Sequence, residues 1–249
     1  MKKIGIVGGV AWLSTVDYYS EICRKAERLH FSRNLPRTPA TPEMSIESLD
    51  LIKTIAYLGI DGDEHSWSQF DDYHRAALQR LEASGADFAV IASNTPHHRF
   101  QSIVGGIGIP VIDIFEAVAR ESAHIGASEV LILGTALTMR SAAFRNKFAE
   151  HGIAATGPHD ETTIAMTAAL IQDLQLGKTD GASHRVGEIA SICLGQAFRE
   201  NTFVCLACTE LPLAFPKQKN LPVFECDGII YLNSTGIHIN AAFDFAVGR

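Results

Sequence analysis

A nine-residue segment of this chain is repeated without gaps 115 positions further along. The first copy, Asp87–Thr95, reads DFAVIASNT, and the second, Thr202–Glu210, reads TFVCLACTE. Each copy contains a short apolar run typical of a buried strand, and the alignment places Ser93 opposite Cys208. A weaker similarity relates two further strand-like segments, Ile6–Gly8 and Ile132–Gly134. The repeat therefore predicts a chain built from two similar halves.

Short apolar runs alternate with segments whose apolar residues recur at helical spacing. The predicted buried strands are Ile4–Val7, Ala89–Ala92, Pro110–Ile112, Val130–Leu133, Val204–Ala207 and Pro222–Phe224. The predicted helices include Gln69–Ala83, Phe115–Ser122, Met139–His151 and Thr162–Leu176. Such alternation predicts an α/β fold with mostly parallel sheets.

We expect two pseudo-symmetric α/β domains. The first comprises residues 1–111 and 216–249, ending in a C-terminal helix after Pro216, and the second comprises residues 112–215. Ser93 and Cys208 each fall where a strand ends and a helix begins, the usual ligand position in open α/β sheets. We expect them on opposite walls of an interdomain cleft, where backbone N–H groups and the helix dipole would attract a carboxylate and lower the pKa of the Cys208 thiol.

Composition narrows the possible functions. The chain has 249 residues, of which 47% are hydrophobic and 20% charged, enough to bury a sizeable core. A net charge of -7 without a basic cluster argues against nucleic-acid binding. The N-terminal apolar run is too short for a signal peptide or a membrane span, so we expect a cytoplasmic protein. Five irregularly spaced cysteines argue against a disulfide framework.

Three prolines mark the segment Asn34–Pro42 as a loop. Because Arg33 and Arg37 accompany it, this loop is either a lid over a binding site or an ordinary surface connection.

The two copies of the repeat carry recognisable motifs. The sequence Cys208-Thr209-Glu210-Leu211-Pro212 resembles the second active-site motif of the aspartate racemases, within the aspartate/glutamate racemase superfamily. Glutamate racemases usually have histidine at the position of Glu210. The sequence Asn94-Thr95-Pro96-His97 resembles the first motif, in which cysteine normally precedes asparagine, threonine, a small residue and histidine. The resemblance covers essentially the whole chain and assigns substrate binding to Gly9, Thr15, Asn94, Thr95, Thr135, Thr138, Thr209 and Glu210.

The resemblance implies a pyridoxal-independent isomerase that needs neither cofactor nor metal and acts on a small amino acid or dicarboxylate. Members of the superfamily often form homodimers. Two cysteines of the family exchange the α-proton on opposite faces of the substrate, since inversion requires proton transfer on both faces. Cys208 is the acid/base residue that this pattern predicts.

Two features depart from the family pattern. Ser93 stands where the first cysteine is expected, and a serine hydroxyl is a poor acid and base unless a neighbour activates it. His97 is the candidate activator, with orientation of the loop as its alternative role. Val10-Ala11-Trp12 replaces the usual methionine, glycine and proline, so Trp12 is expected to reshape the substrate pocket.

Three functions stay open at this point. The first is a racemase that works asymmetrically because Ser93 replaces a cysteine. The second is a single-thiol decarboxylase or isomerase of a small dicarboxylate, and the third is a non-catalytic amino-acid-binding homologue. Gly8-Gly9 lacks the spacing of a dinucleotide site, and Cys205-x-x-Cys208 lacks the second pair of a zinc site.

Overall fold

The computed structural model describes residues 1–33, 41–60, 62–195 and 202–249. Residues 34–40 of the predicted lid, Arg37 among them, lie outside the described residues. The strands are β1 (Ile4–Gly8), β2 (Met44–Ser48), β3 (Phe88–Ile91), β4 (Val111–Ile112), β5 (Glu129–Gly134), β6 (Ala154–Thr156), β7 (Thr202–Ala207), β8 (Val223–Cys226) and β9 (Ile229–Asn233). The α-helices are α1 (Trp12–Ser32), α2 (Leu51–Ala56), α3 (Ser68–Ala83), α4 (Phe100–Val104), α5 (Ile114–His124), α6 (Ala136–Arg140), α7 (Ala142–Glu150), α8 (Glu161–Gln175), α9 (Ala182–Leu194) and α10 (Ser234–Val247).

The first sheet has the strand order β2-β1-β3-β4, and all its strands are parallel. Every residue of β1 is buried, as expected for a central strand covered on both faces. One face packs against α1, which presents Tyr18, Ile22 and Ala26 at helical spacing, and against Ala242 of α10. This core holds the carboxyl ends of β1 and β3 in fixed register.

The second sheet has the order β6-β5-β7-β9-β8. Its strands are parallel except β8, which runs antiparallel to β9. Leu131 and Val204 of the sheet pack with Leu170 of α8 and Val186 of α9 in one apolar cluster. The predicted α/β class with two mostly parallel sheets is confirmed.

Strand register agrees with the sequence repeat residue by residue. In the first sheet Ile6 pairs with Val90, and in the second Ile132 pairs with Cys205. The repeat aligns Ile6 with Ile132 and Val90 with Cys205. The two sheets also share one strand order: β2-β1-β3-β4 in the first corresponds to β6-β5-β7-β9 in the second.

The C-terminal part of the chain differs from the expectation. The chain divides into Met1–Asp113 with Ile239–Arg249, and Ile114–His238. The predicted return to the first half after residue 215 therefore occurs 23 residues later. The predicted C-terminal helix is present as α10, but a hairpin of β8 and β9 precedes it and adds β9 to the second sheet as a fourth parallel strand beside β7.

The hairpin had a sequence signal. Asp227 and Gly228, at its turn, both adopt positive φ values, of 52° and 76°. An Asp-Gly pair between two apolar runs is typical of a two-residue hairpin turn. The edge strands β2 and β6 had no such signal, because they are short and partly exposed.

The predicted helix Met139–His151 is interrupted. Ser141 has an extended backbone (ψ 113°), ends α6, and accepts a hydrogen bond from Phe144 N as the N-cap of α7. Among the described helices, none combines the length and apolar character needed to cross a membrane.

Candidate active site

In the second unit, two predicted site residues follow neighbouring strand ends. Gly134, the last residue of β5, pairs with Ala207, the last residue of β7. A side chain at Gly134 would come within 2.5 Å of the Ala207 carbonyl oxygen, so glycine permits this close approach. Thr135 and Cys208 come directly after this pair. The carboxyl edge of the second sheet thus places both residues at neighbouring strand ends.

The Cys208 side chain is buried, with 6% of the residue exposed, and contacts a carboxylate. Its Sγ donates to Glu210 Oε2 at 3.0 Å, and Thr209 Oγ1 donates to the same oxygen at 3.1 Å. The other oxygen, Oε1, accepts from Gln175 Nε2 at 3.2 Å. Glu210 therefore joins three side chains. Gln175 ends α8, and no sequence signal pointed to it.

Burial raises the pKa of the Cys208 thiol well above its ordinary value, and the negative charge and hydrogen bond of Glu210 raise it further. Backbone hydrogen bonds of Glu210 and Thr209 lower it by less. The predicted lowering of this pKa is wrong. Only a four-residue 3₁₀ turn, Leu211–Ala214, follows the cysteine, too short for a substantial helix dipole. The resting thiol is protonated and can act as a proton donor.

The predicted substrate-binding residues Thr135 and Thr138 contact each other. Thr135 is the N-cap of α6, and its Oγ1 lies 3.0 Å from Thr138 Oγ1 and accepts from Thr138 N at 3.4 Å. Thr138 is fully buried. The pair fixes the first turn of α6 beside the end of β5.

In the first unit, Ser93 lies two residues after β3 and is buried, with 8% exposed. Its backbone N–H donates to Ile91 O at 2.8 Å, and its hydroxyl forms no hydrogen bond with any residue in the described ranges. Ser14 of α1 donates to Ala92 O at 2.8 Å and so ties the helix start to this strand end. Sequence reasoning missed Ser14.

Gly9 and Thr15, both predicted to bind substrate, also bond to one another. Gly9 N donates to Thr15 Oγ1 at 3.0 Å. Gly9 has a φ of 84°, and a side chain there would collide with the Leu49 carbonyl oxygen. Only glycine fits this turn. Trp12, at the start of α1, is 68% exposed, and its effect on a pocket stays a prediction.

His97 is buried, with both ring nitrogens next to oxygen acceptors. Its Nδ1 lies 2.9 Å from Asp113 Oδ1 and its Nε2 3.3 Å from Ile91 O, while the ring stacks on Phe100 at 5.3 Å. These contacts favour the orienting role over activation of Ser93. Sequence reasoning missed Asp113, although a carboxylate directly after a parallel strand was the signal available.

An ion pair holds the turn that carries Asn94 and Thr95. This 3₁₀ turn ends at Arg99, whose Nε lies 3.2 Å from Asp71 Oδ1 and whose Nη2 lies 2.8 Å from Asp71 Oδ2. The side chains are only 10% and 8% exposed. The guanidinium also lies over the Trp67 ring, with a centroid distance of 5.5 Å. Sequence analysis did not identify this anchor, because Asp71 and Arg99 belong to different elements.

Cys205 is fully buried within β7, as expected for a core residue. Within the described ranges, no cluster of three or more His, Cys, Asp or Glu side chains could hold a metal ion.

Comparison with known proteins gives consistent matches. A family model described as Asp/Glu/Hydantoin racemase matches residues 7–242. The broad specificity amino-acid racemase RacX of Bacillus subtilis is 27% identical over 149 residues, which cover 60% of this chain and 61% of that protein. The match thus spans about three fifths of that relative's length.

Two solved structures are similar over their lengths. An aspartate racemase homologue from Pyrococcus horikoshii has a TM-score of 0.75 at 26% identity, with 99% of this chain and 100% of that chain covered. The aspartate racemase of Picrophilus torridus has a TM-score of 0.70 at 19% identity, with 100% and 95% covered, and shares the fold.

Proposed function

We propose that this chain, which belongs to the Asp/Glu/hydantoin racemase family, is a cofactor-independent isomerase that exchanges the α-proton of a small amino acid such as aspartate or glutamate. The observation that carries the proposal is the buried contact of 3.0 Å between Cys208 Sγ and Glu210 Oε2. A protonated thiol and a carboxylate at this distance share one proton between two groups. Such a pair can act as a general acid and a general base.

In the proposed reaction, Glu210 takes the thiol proton and Cys208 becomes a thiolate. The thiolate removes the α-proton, so the C–H bond breaks, the proton moves to Sγ, and the electron pair delocalises into the substrate carboxylate. Returning the proton from Sγ regenerates the same enantiomer. Thr135, Thr138, Thr209, Asn94 and Thr95 are the proposed hydrogen-bonding partners of the substrate.

Inversion needs a second proton donor. No thiol occupies position 93, and a serine hydroxyl is a much weaker acid than a thiol. We therefore assign the second transfer to Ser93 or to water held there, with His97 and Asp113 orienting the turn. The enzyme should exchange one enantiomer faster than it inverts it.

The test is proton NMR of L- and D-aspartate and L- and D-glutamate in D2O, combined with chiral analysis. Loss of the α-proton signal is expected with the wild-type protein, and Cys208→Ala should slow it by about a thousandfold. Cys193→Ala, which removes another thiol of the same unit, is the control and should leave the rate unchanged. Exchange that survives in Cys208→Ala, or no exchange with any of the four substrates, would refute the proposal.

A second variant tests the assignment of Ser93. Ser93→Cys restores the thiol of the family pattern and should raise inversion relative to exchange by about tenfold. Ser93→Ala is the matched control and should show no gain. An unchanged ratio in Ser93→Cys would remove position 93 from the second proton transfer.

One observation favours a second candidate. Cys208 has a raised pKa, and position 93 carries no thiol. Both features suit an enzyme that donates a proton to only one face of its substrate. In a decarboxylase of a small 2-substituted malonate, CO2 would leave and Cys208 would protonate the resulting carbanion. Release of CO2 from phenylmalonate, lost in Cys208→Ala, would support this alternative.

A further inference from the structure

A cavity of about 320 Å³ lies in the second unit, where the end of β6 meets the junction of α6 and α7. Arg140, Arg145 and His159 are among the residues that line it, as is Gly157. A side chain at Gly157 would come within 2.6 Å of Met139 O, so the backbones approach closely here. The volume is at the lower end of ligand pockets and suits a small molecule. Cys208, Glu210 and Thr135 are not among the described residues that line it.

Arg145 has an unbalanced charge. Four arginines of the described ranges are half-buried, namely Arg75, Arg99, Arg145 and Arg185. Three of them form ion pairs with carboxylates: Arg75 with Asp72, Arg99 with Asp71, and Arg185 with Asp173. Arg145 instead donates to two carbonyl oxygens, Met139 O at 3.2 Å and Arg140 O at 3.1 Å, and has no carboxylate partner within the described ranges. A partly buried guanidinium without a counter-charge favours an anion.

The lining residues beside Arg145 strengthen this preference. Arg140 contributes a second guanidinium, which also pairs with the exposed Glu161. His159 adds a ring that can donate a hydrogen bond. The chain as a whole carries a net charge of -7, so two arginine residues at one cavity contrast with the negative net charge of the protein.

We propose that this cavity binds a small oxyanion, a carboxylate or a phosphate, through Arg145, Arg140 and His159. Arg145 already binds the last carbonyl groups of α6, the helix whose first turn carries Thr135 and Thr138. An anion on its guanidinium stabilises this junction and hence the turn at the other end of the short helix. The site is independent of whether the protein is a racemase.

Isothermal titration calorimetry with sodium phosphate and with sodium succinate, at ionic strength fixed with NaCl, tests the proposal. Saturable binding of one equivalent of at least one anion is expected. Arg145→Lys keeps the charge but loses the planar fork, and should weaken binding about tenfold. His159→Glu places a negative charge in the cavity without removing the contacts of Arg145, and should abolish binding. Arg120→Ala removes an exposed arginine of the same unit as a control and should bind like the wild type.

Hydrogen exchange gives an independent readout, since the bound anion should slow exchange of the α6 amides in the wild type but not in His159→Glu. Binding of phosphate alone would identify a phosphate site, and binding of succinate alone a carboxylate site. Binding that persists unchanged in His159→Glu belongs elsewhere on the protein and would overturn the proposal. So would the lack of saturable binding of both anions.

Discussion

At the scale of single residues, the proposed chemistry rests on the contact of Cys208 with Glu210. The carboxylate raises the pKa of the thiol and is also the group that can accept its proton. The proposed reaction makes opposite demands on this side chain: Glu210 adds to the effect of burial, which keeps the resting thiol protonated, and it is also the proposed acceptor of the thiol proton. Thr209 and Gln175 hold the carboxylate in the required orientation.

Replacing Glu210 separates these effects. Burial is the larger cause of the raised pKa of Cys208 and remains in Glu210→Gln, but the added effect of the carboxylate is lost, so the pH profile of iodoacetamide alkylation at Cys208 should shift to lower pH. Exchange of the substrate α-proton should fall at the same time, because an amide cannot accept the thiol proton. Fragment ions in tandem mass spectrometry separate Cys208 from Cys205, which lies three residues away, and the peptides themselves separate it from the other three cysteines.

Glu188→Gln, at an exposed position on α9, is the control for the loss of one negative charge. This variant should change neither the pH profile of alkylation at Cys208 nor the rate of α-proton exchange. An alkylation profile of Glu210→Gln that stays in place or moves to higher pH would contradict the role assigned to this carboxylate.

At the scale of elements, the turn after β3 depends on its anchor to α3. A 3₁₀ turn of five residues has little stability of its own, since its hydrogen-bond geometry is poor. The Arg99–Asp71 ion pair fixes the C-terminal end of the turn, and the contact between His97 and Asp113 fixes its middle. The proposed substrate contacts of Asn94 and Thr95 therefore depend on Asp71 of α3 and on Asp113, which directly follows β4.

Asp71→Asn should destabilise the protein by about 2 kcal/mol, because it removes the buried partner of Arg99 and leaves only the exposed carboxylate of Glu64 as counter-charge. Urea denaturation measures the free energy of unfolding. The neighbouring variant Asp72→Asn breaks an ion pair with Arg75 in which the aspartate is 71% exposed, and should cost less than about 1 kcal/mol. In Asp71→Asn the KM for the substrate should rise about tenfold as the turn loosens. Equal losses of stability in the two variants would contradict the anchor.

At the scale of the whole molecule, stability should depend on a buried histidine of α3. His74 is fully buried, and its Nδ1 donates to Phe70 O at 2.8 Å, so Nε2 is the unprotonated nitrogen. Burial lowers the pKa of His74 to about 4. In the unfolded chain the same ring has an ordinary pKa of about 6.5. Between these values the unfolded chain binds a proton that the folded chain does not.

Stability should therefore fall as the pH is lowered from about 6.5 to 4, with a contribution from His74 of about 3 kcal/mol. His74→Leu removes this titration while keeping an apolar side chain in place. The free energy of unfolding of the wild type, relative to that of His74→Leu, should decrease by this amount between pH 7 and 4. His124→Gln, at an exposed position, is the control. A difference that is independent of pH would show that His74 does not titrate in this range.

Part of the structure followed from the sequence alone. The apolar runs around Val90 and Cys205 predicted buried strands, and the repeat predicted two similar halves. The structure agrees with this repeat, since Ile6 pairs with Val90 as Ile132 pairs with Cys205. The repeat also placed Ser93 and Cys208 at equivalent strand ends. These features could be predicted because apolar periodicity and local spacing are properties of neighbouring residues.

Other features were decided only by the tertiary structure. Pairing of β9 with β7 assigned residues 216–238 to the second unit, although the Asp227-Gly228 turn was visible in the sequence. The protonation of Cys208 depends on its burial, and the roles of Asp71 and Arg145 depend on partners that are present or missing in space. The sequence determines which side chains the chain carries and which strands they follow. Only the folded structure sets their distances and their exclusion from water, on which electrostatic energies depend.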